Sequence, residues 1–335
     1  MKNEIIIIKE NEKEIKKLYP ITLTKPAFFI NIGGYNLFSL IKETFPKSKI
    51  ILKPRKHLID FIEDKYKEKY QKQENKKSKI IEIDALTIPS FENIEKIKQG
   101  KETEKIKFPH EIIILNKKLC KENLNYKKNK YKKIKIKSKN ILNKNKEIVN
   151  EIYVGKEIII SENVVFDSSK GAIIIDDNTL IKPFSYIKGP VYIGKNCKIN
   201  EHTSIKENSV ILNNCKIGGE IEETIINEYT NKQHYGYLGN SYIGSWVNIG
   251  AGTCNSDLKN TYGKIKVLDG ENKIIKTNEQ FLGCIIGDFC KTAINTSIYT
   301  GKIIGVNSVL YGTIKENIGS FINYDSENKN KEEFL

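Results

Sequence analysis

A left-handed parallel β-helix of the hexapeptide-repeat type, preceded by a reduced α/β domain, is predicted by two regularities and one contrast. After residue 150 aliphatic residues return at every sixth position and small residues return four places behind them, whereas the N-terminal part opens on a short apolar strand. The boundaries read as an α/β domain over 1–115, a Lys-rich linker over 116–150 and the β-helix over 151–325.

In chain order, the first element is Ile5-Ile6-Ile7-Ile8, four residues flanked by Glu and Lys, which reads as a strand and not as a signal peptide. No stretch approaches the roughly 20 apolar residues of a membrane helix, so a soluble, cytoplasmic protein without a membrane partner is expected. The formal net charge of +15 is concentrated in residues 101–150, which hold 16 Lys against 5 Glu and no Asp or Arg. An RNA-binding surface usually adds Arg and stacking aromatics in a recognisable module, so this stretch reads as a linker and a nucleic-acid partner is not expected. The six Cys follow no paired spacing and no CxxC occurs, which leaves zinc and redox readings without support.

The period itself is carried by Ile175, Ile181, Ile187, Ile193, Ile199, Ile205, Ile211 and Ile217, with Ile152, Ile158 and Val164 as an earlier run in another phase. Thr179, Ser185, Val191, Cys197, Thr203, Ser209 and Cys215 follow the first seven at a distance of four. If aliphatics fill about a quarter of positions, eight in a row arise by chance roughly once in 10⁴–10⁵ per starting phase. A strand that turns a corner every six residues explains both series. Three such strands close one triangular coil, the aliphatic fills its centre, and the small residue sits beside a corner where a bulky one would meet the next strand. Cys197, Cys215 and Cys290 occupy that small position and read as compact core residues.

The ladder resumes at Ile243 and Ile249, then at Ile286, Thr292, Ile298, Ile304 and Leu310, so residues 219–242 and 254–280 read as insertions that project as loops. The first contains His234, the only His after residue 202.

Asn231-Lys232-Gln233-His234-Tyr235-Gly236-Tyr237-Leu238-Gly239-Asn240-Ser241-Tyr242-Ile243-Gly244, continuing into Trp246-Val247-Asn248-Ile249-Gly250-Ala251-Gly252-Thr253, resembles the acetyltransferase signature of a known family. These are the bifunctional enzymes that N-acetylate glucosamine 1-phosphate and couple the product to UTP, in particular their shorter bacterial relatives. Asn255-Ser256-Asp257-Leu258-Lys259-Asn260 and Gly287-Asp288-Phe289-Cys290-Lys291-Thr292 extend the likeness over about residues 150–320.

The resemblance implies an acetyl-CoA-dependent N-acetyltransferase, assembled as a homotrimer with sites between subunits. It implies His234 as general base, a role that suits a side chain titrating near neutral pH. Tyr237, Asn248 and Asn255 would contact the sugar phosphate or the acyl group, and the backbone around Ala251, Ala293 and Gly312 would line the coenzyme A groove. The N–H groups of Gly250-Ala251-Gly252 could meet the charge that develops on the thioester oxygen. Ser256 stands where the family usually has Tyr, and Glu222 lies near where it places a phosphate-binding Lys, a role for which Lys232, Lys259 and Lys291 are the candidates.

Leu18-Tyr19-Pro20-Ile21-Thr22-Leu23-Thr24-Lys25-Pro26 with Ile32-Gly33-Gly34 resembles the nucleotidyltransferase half of the same enzymes, after its phosphate-binding loop. The loop is missing, because Ile5 to Lys17 contains no Gly whose backbone could close on a triphosphate, and Ala27 replaces the Lys expected after Pro26. The expectation is a reduced domain, with Mg²⁺ needed only if it is active. Two competitors to the acetyltransferase are a sugar 1-phosphate nucleotidyltransferase, uridylyl or thymidylyl, that uses the β-helix for assembly, and a non-catalytic scaffold.

Overall fold

The computed structural model describes residues 4–66, 79–134, 151–326 and 331–333. The isoleucine run forms β1 (Glu4–Lys9), which lies between β2 (Lys49–Lys53) and β3 (Lys79–Asp84) in a parallel sheet of order β2-β1-β3. Parallel strands require crossovers. The first contains the single turn α1 (Glu12–Ile15) and α2 (Leu37–Thr44). A capping box starts α2, in which the Asn36 side chain accepts from Ser39 N and the Ser39 hydroxyl accepts from Asn36 N. α3 (Ile59–Tyr66) and α4 (Phe91–Lys98) flank β3 in the chain.

The linker expected over 116–150 is corrected by α5 (Glu111–Lys127), which crosses the expected boundary after residue 115 without a break. Leu119, Cys120 and Leu124 are buried, and Asn116 Nδ2 donates to Asn208 O at 2.7 Å in the solenoid. Lysines on the exposed side of this helix hid its apolar face in the composition. Residues 135–150, the remainder of the expected linker, lie outside the described residues.

From Ile152 onward the chain winds as a three-sided parallel β-solenoid. The first face stacks eight parallel strands, from Ile152–Val154 to Ile303–Ile304. The second face includes Tyr186–Lys188, Ser204–Ile205, Glu220–Glu222 and Tyr237–Gly239. The third includes Leu180–Ile181, Lys198–Ile199, Lys216–Ile217 and Asn231–Lys232. All eight aliphatics of the ladder from Ile175 to Ile217 are fully buried in one central cluster. Burial of each contributes roughly 1.5–3 kcal/mol. Cys197, Cys215 and Cys290 are buried as expected, their thiols donating to Leu212 O, Asn227 O and Gly305 O of the next coil.

The first face is apolar on its outer side as well. Tyr153, Ile174, Tyr192, Val210, Ile225, Tyr242 and Ile285 share a core with the N-terminal domain, which is why this face is written as uninterrupted runs such as Ile173-Ile174-Ile175 and Val191-Tyr192-Ile193. A polar clamp fastens the same seam. Lys25 Nζ lies 3.1 Å from Asp288 Oδ1, both side chains 8% exposed, and Thr24 Oγ1 donates to Asp288 Oδ2 at 2.6 Å.

The expected departure of residues 219–242 from the stack does not occur. Ile205, Ile211 and Ile217 pair in register with Ile221, Ile226 and Lys232, so two shortened turns break the period in sequence while the coil continues in space. Of residues 254–280, Cys254–Asn255 stays in the stack, paired in parallel with Ser297–Ile298, and the chain leaves it after Ser256. Lys266–Leu268 and Ile274–Lys276 form an antiparallel hairpin, Ile265 and Val267 enter the N-terminal core, and Gly270 N donates to Lys17 O at 2.9 Å.

Candidate active site

His234 lies on the corner that follows the third face. Successive coils bring there Gly218-Gly219, then Gln233-His234-Tyr235-Gly236, then Gly250-Ala251-Gly252, then Ala293-Ile294-Asn295, and finally Tyr311-Gly312. Gly218 N donates to Lys232 O at 2.6 Å, Gly252 N to Tyr235 O at 3.0 Å, Asn295 N to Ala251 O at 2.7 Å and Ala293 N to Leu310 O at 2.8 Å. Glycines are required by contact here. A Cβ on Gly218 would stand 2.4 Å from Gln233 O, and one on Gly250 would stand 2.4 Å from Ala293 O. The result is an exposed imidazole on a turn with bare backbone on both sides. Its ring makes no hydrogen bond to the described residues. Tyr235, 67% exposed, rests its hydroxyl 3.4 Å from Asn295 Oδ1.

Of the three N–H groups considered for the thioester oxygen, two are committed. Gly250 N donates to Thr292 Oγ1 at 2.9 Å and Gly252 N to Tyr235 O, which leaves the N–H of Ala251 as the available donor. Ala251, Ala293 and Gly312 fall on one edge in successive coils, so the backbone expected to line a single groove is brought together.

The other expected residues divide. Asn248 is exposed and lies between Asn231 and Lys291 in a row of parallel bridges, open to a ligand. Asn255 is corrected to an interior role. It is 3% exposed, its Oδ1 accepts from Gly239 N at 2.8 Å and its Nδ2 donates to Gly239 O at 2.9 Å, so its amide is spent on the neighbouring strand. Lys232 is likewise removed from the list of phosphate ligands. It fills an inward slot of the ladder at 1% exposure, with Nζ donating to His234 O at 2.7 Å, and burial lowers its pKa to about 8. Lys259 donates to Lys264 O, and Lys291 is exposed beside Asn248.

Tyr237 belongs to a polar cluster one turn past His234. Its hydroxyl donates to Asp257 Oδ2 at 2.8 Å, and Asn240 Nδ2 reaches the same oxygen at 2.7 Å. Burial, with Asp257 beside it, pushes the phenol well above its ordinary pKa, so it stays a neutral donor. Glu222 lies 3.3 Å from Lys206 Nζ, which also meets Glu220 at 2.5 Å. Lys206 thus brings a cation to the position near Glu222 where one was sought, and sequence reasoning missed it. It is one of several Lys on outer positions of the coil, and only the stacking of coils sets it beside Glu222. Asp257 was legible inside the Asn255-Ser256-Asp257 segment.

At the ends of β1 and β3 the nucleotide-holding loop is absent in space as in sequence. β1 passes directly to Asn11, whose side chain caps α1. Glu10 is buried and committed, accepting from Ala27 N at 2.8 Å and pairing with Arg55 Nε at 3.1 Å. Glu12, Glu82 and Asp84 line the opening beside it, an acidic set with no backbone cradle for a triphosphate. The residues present therefore do not fit a magnesium-bound nucleoside triphosphate at the family's position.

Comparison with known proteins finds two family models along the chain. Residues 6–158 match the family model described as sugar nucleotidyl transferase, and residues 172–206 match that of bacterial transferase hexapeptide repeats. A bifunctional sugar-1-phosphate nucleotidylyltransferase/acetyltransferase of Sulfurisphaera tokodaii is 37% identical over 144 residues, 42% of this chain and 36% of the relative. The bifunctional protein GlmU of Methanococcus maripaludis is 40% identical over 172 residues, 51% of this chain and 41% of the relative. That of Buchnera aphidicola is 41% identical over 87 residues, 25% of this chain and 17% of the relative. The matches thus span less than half the length of these relatives. The chain joins a sugar nucleotidyl transferase segment to a hexapeptide-repeat solenoid, and by both segments it is a relative of the bifunctional nucleotidylyltransferase/acetyltransferases.

Proposed function

We propose that this protein is an acetyl-CoA-dependent N-acetyltransferase that acts on glucosamine 1-phosphate in nucleotide-sugar biosynthesis and works as a homotrimer. One observation carries the reading: an exposed imidazole with no hydrogen-bond partner among the described residues, on a corner kept clear by Gly218-Gly219 on one side and Gly250-Ala251-Gly252 on the other. The name of the Sulfurisphaera relative, which joins acetyl transfer to a sugar-1-phosphate substrate, supports the same substrate class.

In this reaction the amine nitrogen attacks the thioester carbonyl, the C–N bond forms and the C–S bond breaks. His234 takes the proton lost by the amine and returns one to the departing thiolate. Charge building on the carbonyl oxygen is met by the N–H of Ala251, a donor already fixed in place. Coenzyme A lies along the edge made by Ala251, Ala293 and Gly312. Asn248 and Tyr237 hold the sugar, and the exposed Lys291 beside Asn248 faces its phosphate. The N-terminal domain already covers the first face of the prism, so the His234 corner and the two faces beside it remain for other copies. Three copies around an axis bring each corner against its neighbour.

The test is release of free thiol from acetyl-CoA in the presence of a panel of amino sugar phosphates. Thiol release that depends on glucosamine 1-phosphate is expected, and none with any member of the panel removes the reading. A second reading, nucleotidyl transfer, is favoured by the family match over residues 6–158. Pyrophosphate release from UTP or dTTP with a sugar 1-phosphate and Mg²⁺ would establish it, and the acidic strand ends predict none.

A further inference from the structure

The corner that follows the first face lies on the opposite side of the third face from His234, against the seam with the N-terminal domain. In eight successive coils the last residue of this corner has a left-handed backbone, with φ between 54° and 66°. Asn178, Asn196, Asn214 and Asn307 take the position in four of them, which suits Asn, whose short polar side chain tolerates that conformation. Tyr229, Trp246 and Phe289 take it in three consecutive coils, where bulky rings are conformationally costly. These rings are not core residues. They are 40%, 55% and 45% exposed, and Tyr229 and Trp246 stack at 4.4 Å with their planes 9° apart.

The ladder borders a cavity of about 300 Å³ between the domains, the size at which small-molecule sites begin. Its charges are unevenly matched. Lys25 is neutralised by Asp288. Lys127 is not: its Nζ donates to Gly34 O at 3.1 Å and sits 4.3 Å from the Tyr35 ring centre and 4.7 Å from that of Tyr192, with no carboxylate within 4.0 Å among the described residues. Burial, with Lys130 nearby, lowers its pKa to about 8, a shift that the more distant Glu43 and Asp176 only partly oppose. On the solenoid side, Glu228 and Asn213 line the same cavity and can accept from and donate to hydroxyl groups.

We propose that this seam cavity is a nucleotide-binding site, with a phosphate on Lys127, the ribose between Glu228 and Asn213, and the base stacked on the Tyr229–Trp246 ladder. A free phosphate would leave the aromatic ladder idle, and an unphosphorylated sugar would leave Lys127 uncompensated. The site is separate from the His234 corner and from the ends of β1 and β3, so it stands whether or not acetyl transfer does.

Trp246 is the only Trp of the chain, so intrinsic fluorescence reports directly on this cavity. Titration with UDP and ADP is expected to change its emission saturably. Uridine, ribose 5-phosphate and inorganic phosphate should each bind at least about tenfold more weakly, the scale of one lost stacking or charge contact. Lys127→Met should weaken nucleotide binding by a similar factor without lowering the melting temperature. Trp246→Asn, which installs the residue common at this corner, should fold normally and bind more weakly by calorimetry. No saturable change with either nucleotide at millimolar concentration overturns the proposal. So do equal binding of ribose 5-phosphate or phosphate, and unaltered affinity in Lys127→Met.

Discussion

Lys232 shows how one residue can satisfy the repeat and depart from its chemistry. Its backbone takes the position expected of an aliphatic, and its ammonium is sealed in the coil with His234 O as partner. Because its pKa is lowered by burial from 10.5 to about 8, the folded protein binds fewer protons than the unfolded chain between those values. Its penalty on stability is therefore full below pH 8 and fades as pH rises toward 10.5. Lys232→Met should raise stability by on the order of 2 kcal/mol at pH 7, after allowance for the lost hydrogen bond, and the gain should shrink above pH 9. Urea denaturation at the two pH values checks this. At the same scale the sequence was an incomplete guide. It pointed to His234 and Asn248, which are exposed. It missed that Lys232 points inward, because two shortened turns shift the phase between it and the earlier ladder, whereas Asn255, six places after Ile249, stands on the resumed ladder and its inward slot was readable there.

The elements divide by how local their causes are. The solenoid strands were legible because every coil repeats the same constraint, an aliphatic at the centre and a small residue by the corner. Ile205→Ala, in a fully buried slot with neighbours in register above and below, should cost about 2–5 kcal/mol in denaturant titrations, whereas Ile159→Ala, at 62% exposure, should cost little. α5 was not legible as a helix because its Lys-rich composition matches the segment after it, and its apolar residues are explained only by the solenoid face they cover. The clamp at the seam is similarly non-local, joining residues 264 positions apart. Asp288→Ala leaves Lys25 buried without its counter-ion and should destabilise the protein by about 3–5 kcal/mol, while Asp288→Leu combined with Lys25→Met should recover much of the loss. Denaturation of the two variants side by side separates a lost charge partner from a packing defect.

At the scale of the whole molecule, the N-terminal domain has a three-stranded parallel sheet without a loop that would hold a triphosphate, and its apolar core is continuous with the outer side of the solenoid's first face. Among the described residues no helix is long and apolar enough to cross a membrane. The free faces beside His234 lead to a prediction of assembly. Light scattering at micromolar concentration should give three times the 38.5 kDa mass of the chain, and a monomer would contradict sites shared between copies.

The central claim is that the imidazole of His234 performs acetyl transfer on a corner built from bare backbone. The most direct measurement is kcat for thiol release from acetyl-CoA with glucosamine 1-phosphate, compared between the protein and His234→Ala at matched melting temperature. The account predicts a fall of about 10²–10⁴-fold with the fold intact, the range for loss of a general base. A variant that folds and turns over at the parent rate would contradict it.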